Sequence, residues 1–331
     1  MNQAAVYWEA SSGSAVQCLL CPIGCRLEEG EDGLCGTRGN VGGAMVAKQY
    51  GRLVSAAVDP IEKKPLYHFL PGHPILSVAA RGCNLHCQFC QNWNISQTVH
   101  GPASDVTPEQ IVADAQRVDS VGIAYTYSEP LVWYEFLRDT AALAHQAGLK
   151  NVIVSNGFLN PDPLEELLPL IDAANIDLKS MDDDFYKKIC KARLAPVLNT
   201  IRIFKKQGVH LEVTNLVIPG HNDADDQIMR LVDFIASVDS DIPLHFSAYC
   251  PSYKFSAPPT PPQTLLRAKR IAQRKLRFIY LGNVMVEGGS DTHCPGCDTV
   301  VIQRTGYRTI NRLTSAGGCA ECGRVLPIVL H

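Results

Sequence analysis

The sequence predicts an α/β protein built on a partial (β/α)6 TIM-type barrel, with small cysteine-rich, metal-binding extensions at its N- and C-terminal ends. Three observations lead there. Short apolar runs alternate with amphipathic helical stretches through the middle of the chain. Unusual polar or glycine-containing segments follow those runs at one end. The thirteen cysteines fall into three groups and two singles.

Strands are read as apolar or β-branched runs bounded by Gly, Pro or Asn. ILSVAA at 75–80 is the first, followed by GIAYTY at 122–127, NVIVS at 151–155 and NIDLK at 175–179. HLEVTNLVI at 210–218 and LHFSAY at 244–249 complete six, and RFIYL at 277–281 is a further strand. Helices lie between them. Thr107-Pro108-Glu109-Gln110 has capping-box spacing with proline at the first helical position, and Ile111, Val112, Ala115 and Val118 line one face. Residues 131–147 continue as a helix up to Gly148, a C-cap signal. Further helices are expected over 162–170 and 224–238, and after a second capping box, Thr260-Pro261-Pro262-Gln263. Such alternation means parallel strands with helical crossovers. A doubly wound open sheet has the same periodicity and is the alternative. The barrel is expected over 61–285, with an N-terminal four-cysteine region at 1–60 and a C-terminal four-cysteine tail at 286–331.

A chain of 331 residues suits one large barrel or two ordinary domains, and 46% hydrophobic residues suffice for a full core. The formal net charge of −3 exerts no general pull on nucleic acid or acidic membranes. No run of about 18 apolar residues exists to span a membrane. The opening MNQAAVYWEASSGSAV has no basic head or apolar core, so no secretory signal is expected and the cytoplasm is the expected compartment. Disulfides are rare there, so the cysteines point to metal.

Cys18, Cys21, Cys25 and Cys35 form one group, and Cys294, Cys297, Cys319 and Cys322 another. Each can close a four-ligand site. The second resembles a zinc ribbon: two C-x2-C knuckles separated by VVIQRTGYRTI, on a tail of about 40 residues with too small a core to fold alone. Arg304, Arg308, Arg312 and Arg324 tint this tail basic and read as a solvated face, not a nucleic-acid surface. The first group suits zinc or a second iron–sulfur cluster, because thiolates serve either metal, and zinc is preferred. Cys190 reads as an inert, partly buried thiol.

Cys83, Cys87 and Cys90 stand in the pattern C-x3-C-x2-C directly after the first strand. Three thiolates leave one iron of a [4Fe–4S] cluster open to a small molecule. A zinc site that borrows His86 as fourth ligand is the competing reading. The ends of the other strands carry Glu129 in TYSEP, Ser155 and Asn156 in SNG, and Asp177 and Lys179 in DLK. Barrel chemistry sits at those ends. Asp177 and Lys179 alternate with Leu178, so their side chains share a face. Glu129 also has the position of a cap for the helix that follows. Cys250, after Tyr249 in AYCPSYK, is expected to face the active-site end, as a candidate hydrogen-atom relay, cluster ligand or substrate contact.

C-x3-C-x2-C after a strand resembles the signature of the radical S-adenosylmethionine (SAM) enzymes. CLLCPIGCRLEEGEDGLCGTRGN, DPIEKKPLYHFLPG, GCNLHCQFCQNWNISQ, AYTYSEP, DLK, LVIPGHND, YLGNV and the CPGC…CAEC tail together resemble the AmmeMemoRadiSam-system proteins, relatives of pyruvate formate-lyase activating enzymes. The resemblance implies a [4Fe–4S] cluster on Cys83, Cys87 and Cys90 with SAM on its open iron. It implies reductive cleavage of SAM to a 5′-deoxyadenosyl radical that abstracts hydrogen from a substrate. Glu129 takes the place of that superfamily's G-G-E-like motif, which receives the SAM ammonium group. Such relatives carry R-F-H-P near the sixth strand, with histidine where this chain has Cys250. The substrate, a small molecule or a protein, stays open, and an electron-donor protein is required. A glycyl-radical activase acting on a protein partner and a non-enzymatic zinc scaffold are the alternatives.

Overall fold

Runs that are apolar at nearly every position suit strands covered on both faces, and the computed structural model, which describes residues 3–331, buries them that way. One sheet contains β1 (Ser55–Pro60), β2 (Pro74–Ala79), β3 (Gly122–Tyr125), β4 (Lys150–Ser155), β5 (Ala173–Asp177), β6 (His210–Val217), β7 (Leu244–Ala248) and β8 (Ile279–Gly282). The strands pair strictly in chain order, parallel from β2 to β8, with β1 antiparallel at the β2 edge. Doubly wound sheets reverse their strand order, so this order selects the partial barrel. The six expected strands and the further strand read at 277–281 make up the seven parallel strands, and β1 was not expected. The anticipated boundary at residue 60 falls at the end of β1, inside this sheet.

The crossovers are α1 (Pro108–Arg117), α2 (Tyr134–Gln146), α3 (Pro161–Leu167), α4 (Leu194–Lys206), α5 (Asp225–Val238) and α6 (Pro262–Ala272). At α1 the capping box forms: Gln110 N donates to Thr107 Oγ1, and Thr107 N donates to Gln110 Oε1 at 2.8 Å. Past α2 the chain turns at Gly148 with φ +76°. The second capping box does not form. The Thr260 hydroxyl instead receives Tyr249 N at 2.9 Å and donates to Val217 O at 2.6 Å, tying the ends of β6 and β7 together. Helix α4 was missed, because its first turn carries Pro196 and its apolar stripe lacks a capping signal. No helix among the described residues is long and apolar enough to cross a membrane.

The N-terminal extension contributes a small antiparallel sheet of Trp8–Ala10, Val16–Cys18 and Arg26–Leu27, and another that includes Arg38–Val41 and Ala44–Ala47. A buried ion pair between Arg38 and Glu135, 1% and 2% exposed, joins it to α2. The C-terminal extension is a sheet of β9 (Thr292–His293), β10 (Val300–Thr305) and β11 (Arg308–Asn311). Its apolar residues Val301, Ile302 and Leu326 share a cluster with Phe278 and Tyr280 at the barrel edge.

The barrel floor is polar and fully buried. Glu212 of β6 accepts from Tyr67 N at 2.8 Å, His68 N at 2.7 Å, His210 Nε2 at 3.0 Å and His245 Nε2 at 2.6 Å. Burial alone would raise its carboxyl, but these partners hold it well below the usual carboxylate range. His68 bonds to the Tyr280 hydroxyl at 2.6 Å, and burial pushes its imidazole down to about 3. Arg304 lies over the Tyr67 ring at 4.3 Å and donates to Thr292 Oγ1, Ser290 O and Tyr67 O. The expectation of a solvated Arg304 is therefore corrected: only 7% of it is exposed, because it pins the tail to the floor.

This floor makes stability pH-dependent. Between pH 6.5 and about 3 the unfolded chain protonates His68 while the folded chain does not, so stability is full above 6.5 and falls as pH drops. Glu212 acts in the same direction at lower pH. Urea unfolding midpoints should decline steadily below pH 6.5. Glu212→Ala should cost about 3–5 kcal/mol at neutral pH, the cost of stripping one partner from a buried charged network.

Candidate active site

Side chains on a strand alternate faces, so Glu212, Thr214 and Leu216 of β6 share one row, and His245 and Ser247 of β7 another. The lower members build the floor. The upper ones, Thr214, Leu216 and Ser247, line a cavity of about 410 Å³ at the opposite, C-terminal end of the strands. Cys83, Cys87 and Cys90 wall it on one side, and Glu129, Ser155, Asn156, Asp177 and Lys179 elsewhere. Six strand ends thus bring every expected barrel site residue except Cys250 to one cavity.

The cysteine loop follows β2. Cys83 Sγ accepts from Leu85 N at 3.3 Å and Asn156 Nδ2 at 3.6 Å, and Cys90 Sγ lies 3.1 Å from Ser96 Oγ. His86 points away, its Nε2 donating to Leu34 O at 3.2 Å, so it supplies no fourth ligand to the trio. Cys190 is buried beside Cys87, carried there by the π-helical turn Tyr186–Cys190. Spacing along the sequence held no signal for that neighbour, since the contact is made across the β5–α4 connection.

Glu129 is both a cap and a pocket wall. Its carboxylate accepts from Leu131 N at 3.0 Å, Ser155 Oγ at 2.7 Å and Asn156 N at 2.8 Å. Burial pushes it up to about 7 against those donors. Two residues earlier Tyr127 adopts φ +67°, a strained conformation for an aromatic residue, and its hydroxyl donates to Asp59. Asp59 also receives Lys63 at 2.7 Å and Lys64 at 2.6 Å, so DPIEKKP braces the loop that carries Glu129.

Lys179 pairs with Asp177 at 2.9 Å. Burial opposes its charge, but Asp177 and the nearby thiols of Cys87 and Cys190 keep it well above the ordinary lysine value. Thr214 Oγ1 is buried with no hydrogen-bond partner, a donor left for a ligand. Thr214, Ser247, Asn283, Lys63 and Tyr127 join the lining without having been singled out from sequence. Period-two alternation upward from Glu212 and His245 was the available signal for the first two.

Cys250 is exposed and is not among the cavity-lining residues. The buried Tyr249 ahead of it donates to Phe255 O at 2.9 Å and turns the chain so that the thiol points elsewhere. At the other end of the molecule Cys294, Cys297, Cys319 and Cys322 bring four Sγ atoms within 4.8 Å of one another, a set able to hold one metal ion. Cys18, Cys21, Cys25 and Cys35 wall a separate small cavity of about 10 Å³.

Comparison with known proteins agrees with this geometry. Residues 77–232, from the first parallel strand into α5, match the Radical SAM superfamily. The chain is 43% identical over 333 residues to an uncharacterized protein of Methanocaldococcus jannaschii, across 98% of this chain and 99% of that one. It is 26% identical over 162 residues to the pyruvate formate-lyase 1-activating enzyme of Escherichia coli K12, across 46% of this chain and 65% of the enzyme. In fold it is similar to Streptococcus suis SuiB bound to S-adenosylmethionine, with TM-score 0.51 and 16% identity over 63% of this chain and 52% of that one. Residues 77–232 thus form a radical SAM domain, and the chain is a homologue of the pyruvate formate-lyase activating enzymes over about half its length.

Proposed function

We propose that Cys83, Cys87 and Cys90 hold a [4Fe–4S] cluster, that SAM occupies its open iron, and that the protein abstracts hydrogen from a substrate yet to be identified. The observation that carries this reading is the single cavity shared by three thiols and a set of charged and amide groups. When bound, the reduced cluster supplies the electron that breaks a C–S bond of SAM and yields a 5′-deoxyadenosyl radical. The chain's own residues position and neutralise. Glu129 and the Thr214 hydroxyl are placed to meet the polar groups of SAM. Ser155 and Asn156 orient Glu129, and Asn156 also steadies Cys83. Lys179, beside Cys87, offsets the negative charge of the thiolates, and Asp177 orients it. An electron-donor protein must reach the site from the cytoplasm.

A second reading, a glycyl-radical activase acting on a protein, is favoured by the homology to the E. coli activating enzyme. The finer assignment to the AmmeMemoRadiSam group rests on the motif order described above. The C-terminal quartet fits a structural zinc ion, its sulfurs packed as tetrahedral coordination requires.

Alanine at Cys83, Cys87 and Cys90 together should abolish 5′-deoxyadenosine formation under dithionite, and product from that variant would refute the cluster assignment. Glu129→Gln should weaken SAM binding by about ten- to a hundredfold, the loss of one charge-assisted hydrogen bond of roughly 1.5–3 kcal/mol. Equilibrium dialysis checks this, and unchanged affinity would remove Glu129 from the role. Cys294→Ala should remove one zinc per chain and lower the melting temperature while leaving cluster iron in the folded fraction. Iron in that tail would contradict zinc.

A further inference from the structure

Cys190 is a wholly buried thiol with no part in the chemistry proposed above. It is the last residue of the π-helical turn Tyr186–Cys190. After it Lys191 reverses the chain at φ +59°, and the N–H groups of Lys191 and Ala192 both return to Tyr186 O. A π turn holds one residue more than an α turn, is rare in helices and recurs at functional sites. Here it lies against the cysteine loop. His86 N donates to Cys190 O at 2.9 Å and Gln88 N to Ile189 O at 3.1 Å, so both neighbours of Cys87 are tied to the turn. Between these ties the Cys87 and Cys190 side chains share a hydrogen bond.

The direction of that bond follows from what each sulfur must be. A cluster ligand is a thiolate, which can only accept. Cys190 is sealed from solvent in the same apolar cluster as Cys87, Phe185 and Tyr186, and burial there favours the neutral, protonated thiol. Cys190 therefore donates to Cys87. The other two sulfurs of the trio have side-chain partners of the same kind. Asn156 Nδ2 lies 3.6 Å from Cys83 Sγ. Ser96 Oγ lies 3.1 Å from Cys90 Sγ and accepts from Gln97 Nε2 at 3.1 Å, which leaves its own proton for the sulfur. An amide, a thiol and a hydroxyl thus serve the three thiolates. A thiol suits the buried middle position, because it is cheaper than a hydroxyl to strip of water in apolar surroundings.

We propose that Cys190 is a positioning residue for the cluster at Cys83, Cys87 and Cys90: its S–H donates to the Cys87 thiolate and makes the cluster easier to reduce. This rests on the cluster reading given above. Hydrogen bonds to the sulfurs are among the determinants of a cluster's reduction potential. Reduction adds negative charge to the cluster and its ligands. A donor at Cys87 offsets part of that charge, so it stabilises the reduced state more than the oxidised one. No bond to Cys190 forms or breaks, and it keeps its proton throughout.

The test is the midpoint potential of the cluster in anaerobically reconstituted full-length protein, followed by electron paramagnetic resonance during a reductive titration, with iron counted per chain. The signal followed is the one absent from the triple Cys83, Cys87, Cys90→Ala variant. Cys190→Ala should keep that signal and the wild-type iron content. Its one-electron reduction equilibrium should move about tenfold toward the oxidised state, a potential about 59 mV more negative. Cys190→Ser, which restores a donor, should recover most of that shift. Where the alanine variant fails to assemble, Cys190→Thr and Cys190→Val, nearly equal in shape, make the same comparison, with valine the more negative. A donor-free variant at the wild-type potential would overturn the hydrogen bond and leave the cluster intact, and so would donor and donor-free variants shifted equally. A wild-type protein with no signal missing from the triple variant would instead overturn the reading of Cys83, Cys87 and Cys90, and this proposal with it.

Discussion

A carboxylate buried without exposure is costly unless donors surround it, and Glu212 is surrounded by donors from three separate parts of the chain. Its own strand supplies His210, the next strand supplies His245, and the segment ahead of the first parallel strand supplies two backbone N–H groups. Through His68 and Tyr280 the same network reaches the last strand, and through Tyr67 and Arg304 it reaches the C-terminal tail. An open sheet of seven parallel strands has two edges and a lower end that no further strand closes. Glu212 turns that end into a set of directed bonds, so the curvature of the sheet is specified as well as its burial. The cavity at the upper end inherits its shape from this floor, because the same inward rows of β6 and β7 run from one to the other.

The upper end shows the same economy. Glu129 caps a turn, holds the end of β4 through Ser155 and Asn156, and faces the cavity. A structural and a ligand-binding role need not compete for one carboxylate, since its two oxygens offer several lone pairs. Strain at Tyr127 is sustained by Asp59, itself held by two lysines from DPIEKKP. That motif has no residue among the cavity's cysteines, yet it connects the floor, through Tyr67 and His68, to the loop that carries Glu129.

The three cysteine groups differ in burial and in the cavities they face. The ribbon packs its sulfurs closely and leaves Cys297 and Cys322 exposed at the tip of a sheet. The trio opens on a cavity of about 410 Å³. The N-terminal quartet walls a small cavity, and its loop lies against the trio's at Gly82.

Local structure and the chemistry of short spacings were legible in the residues alone. Seven strand segments, the α1 capping box and the Gly148 stop could be read because period, cap and turn are set by residues within a few positions of one another. C-x3-C-x2-C stood out as a site because three thiolates one loop apart leave zinc one ligand short, and the three do wall one cavity. Whatever depends on distant partners was settled by the packed chain. Packing recruited the Thr260 hydroxyl to β6 and β7 instead of a helix cap, buried Arg304 in the floor, set β1 antiparallel on the sheet edge and turned Cys250 away from the cavity. It also brought Asn156 and Cys190 to the Cys83–Cys90 loop across long stretches of chain. A side chain's hydrogen-bonding capacity is written in its chemistry, but which of several partners it meets is settled only when the strands are stacked in order and the unpaired groups have nowhere else to bond.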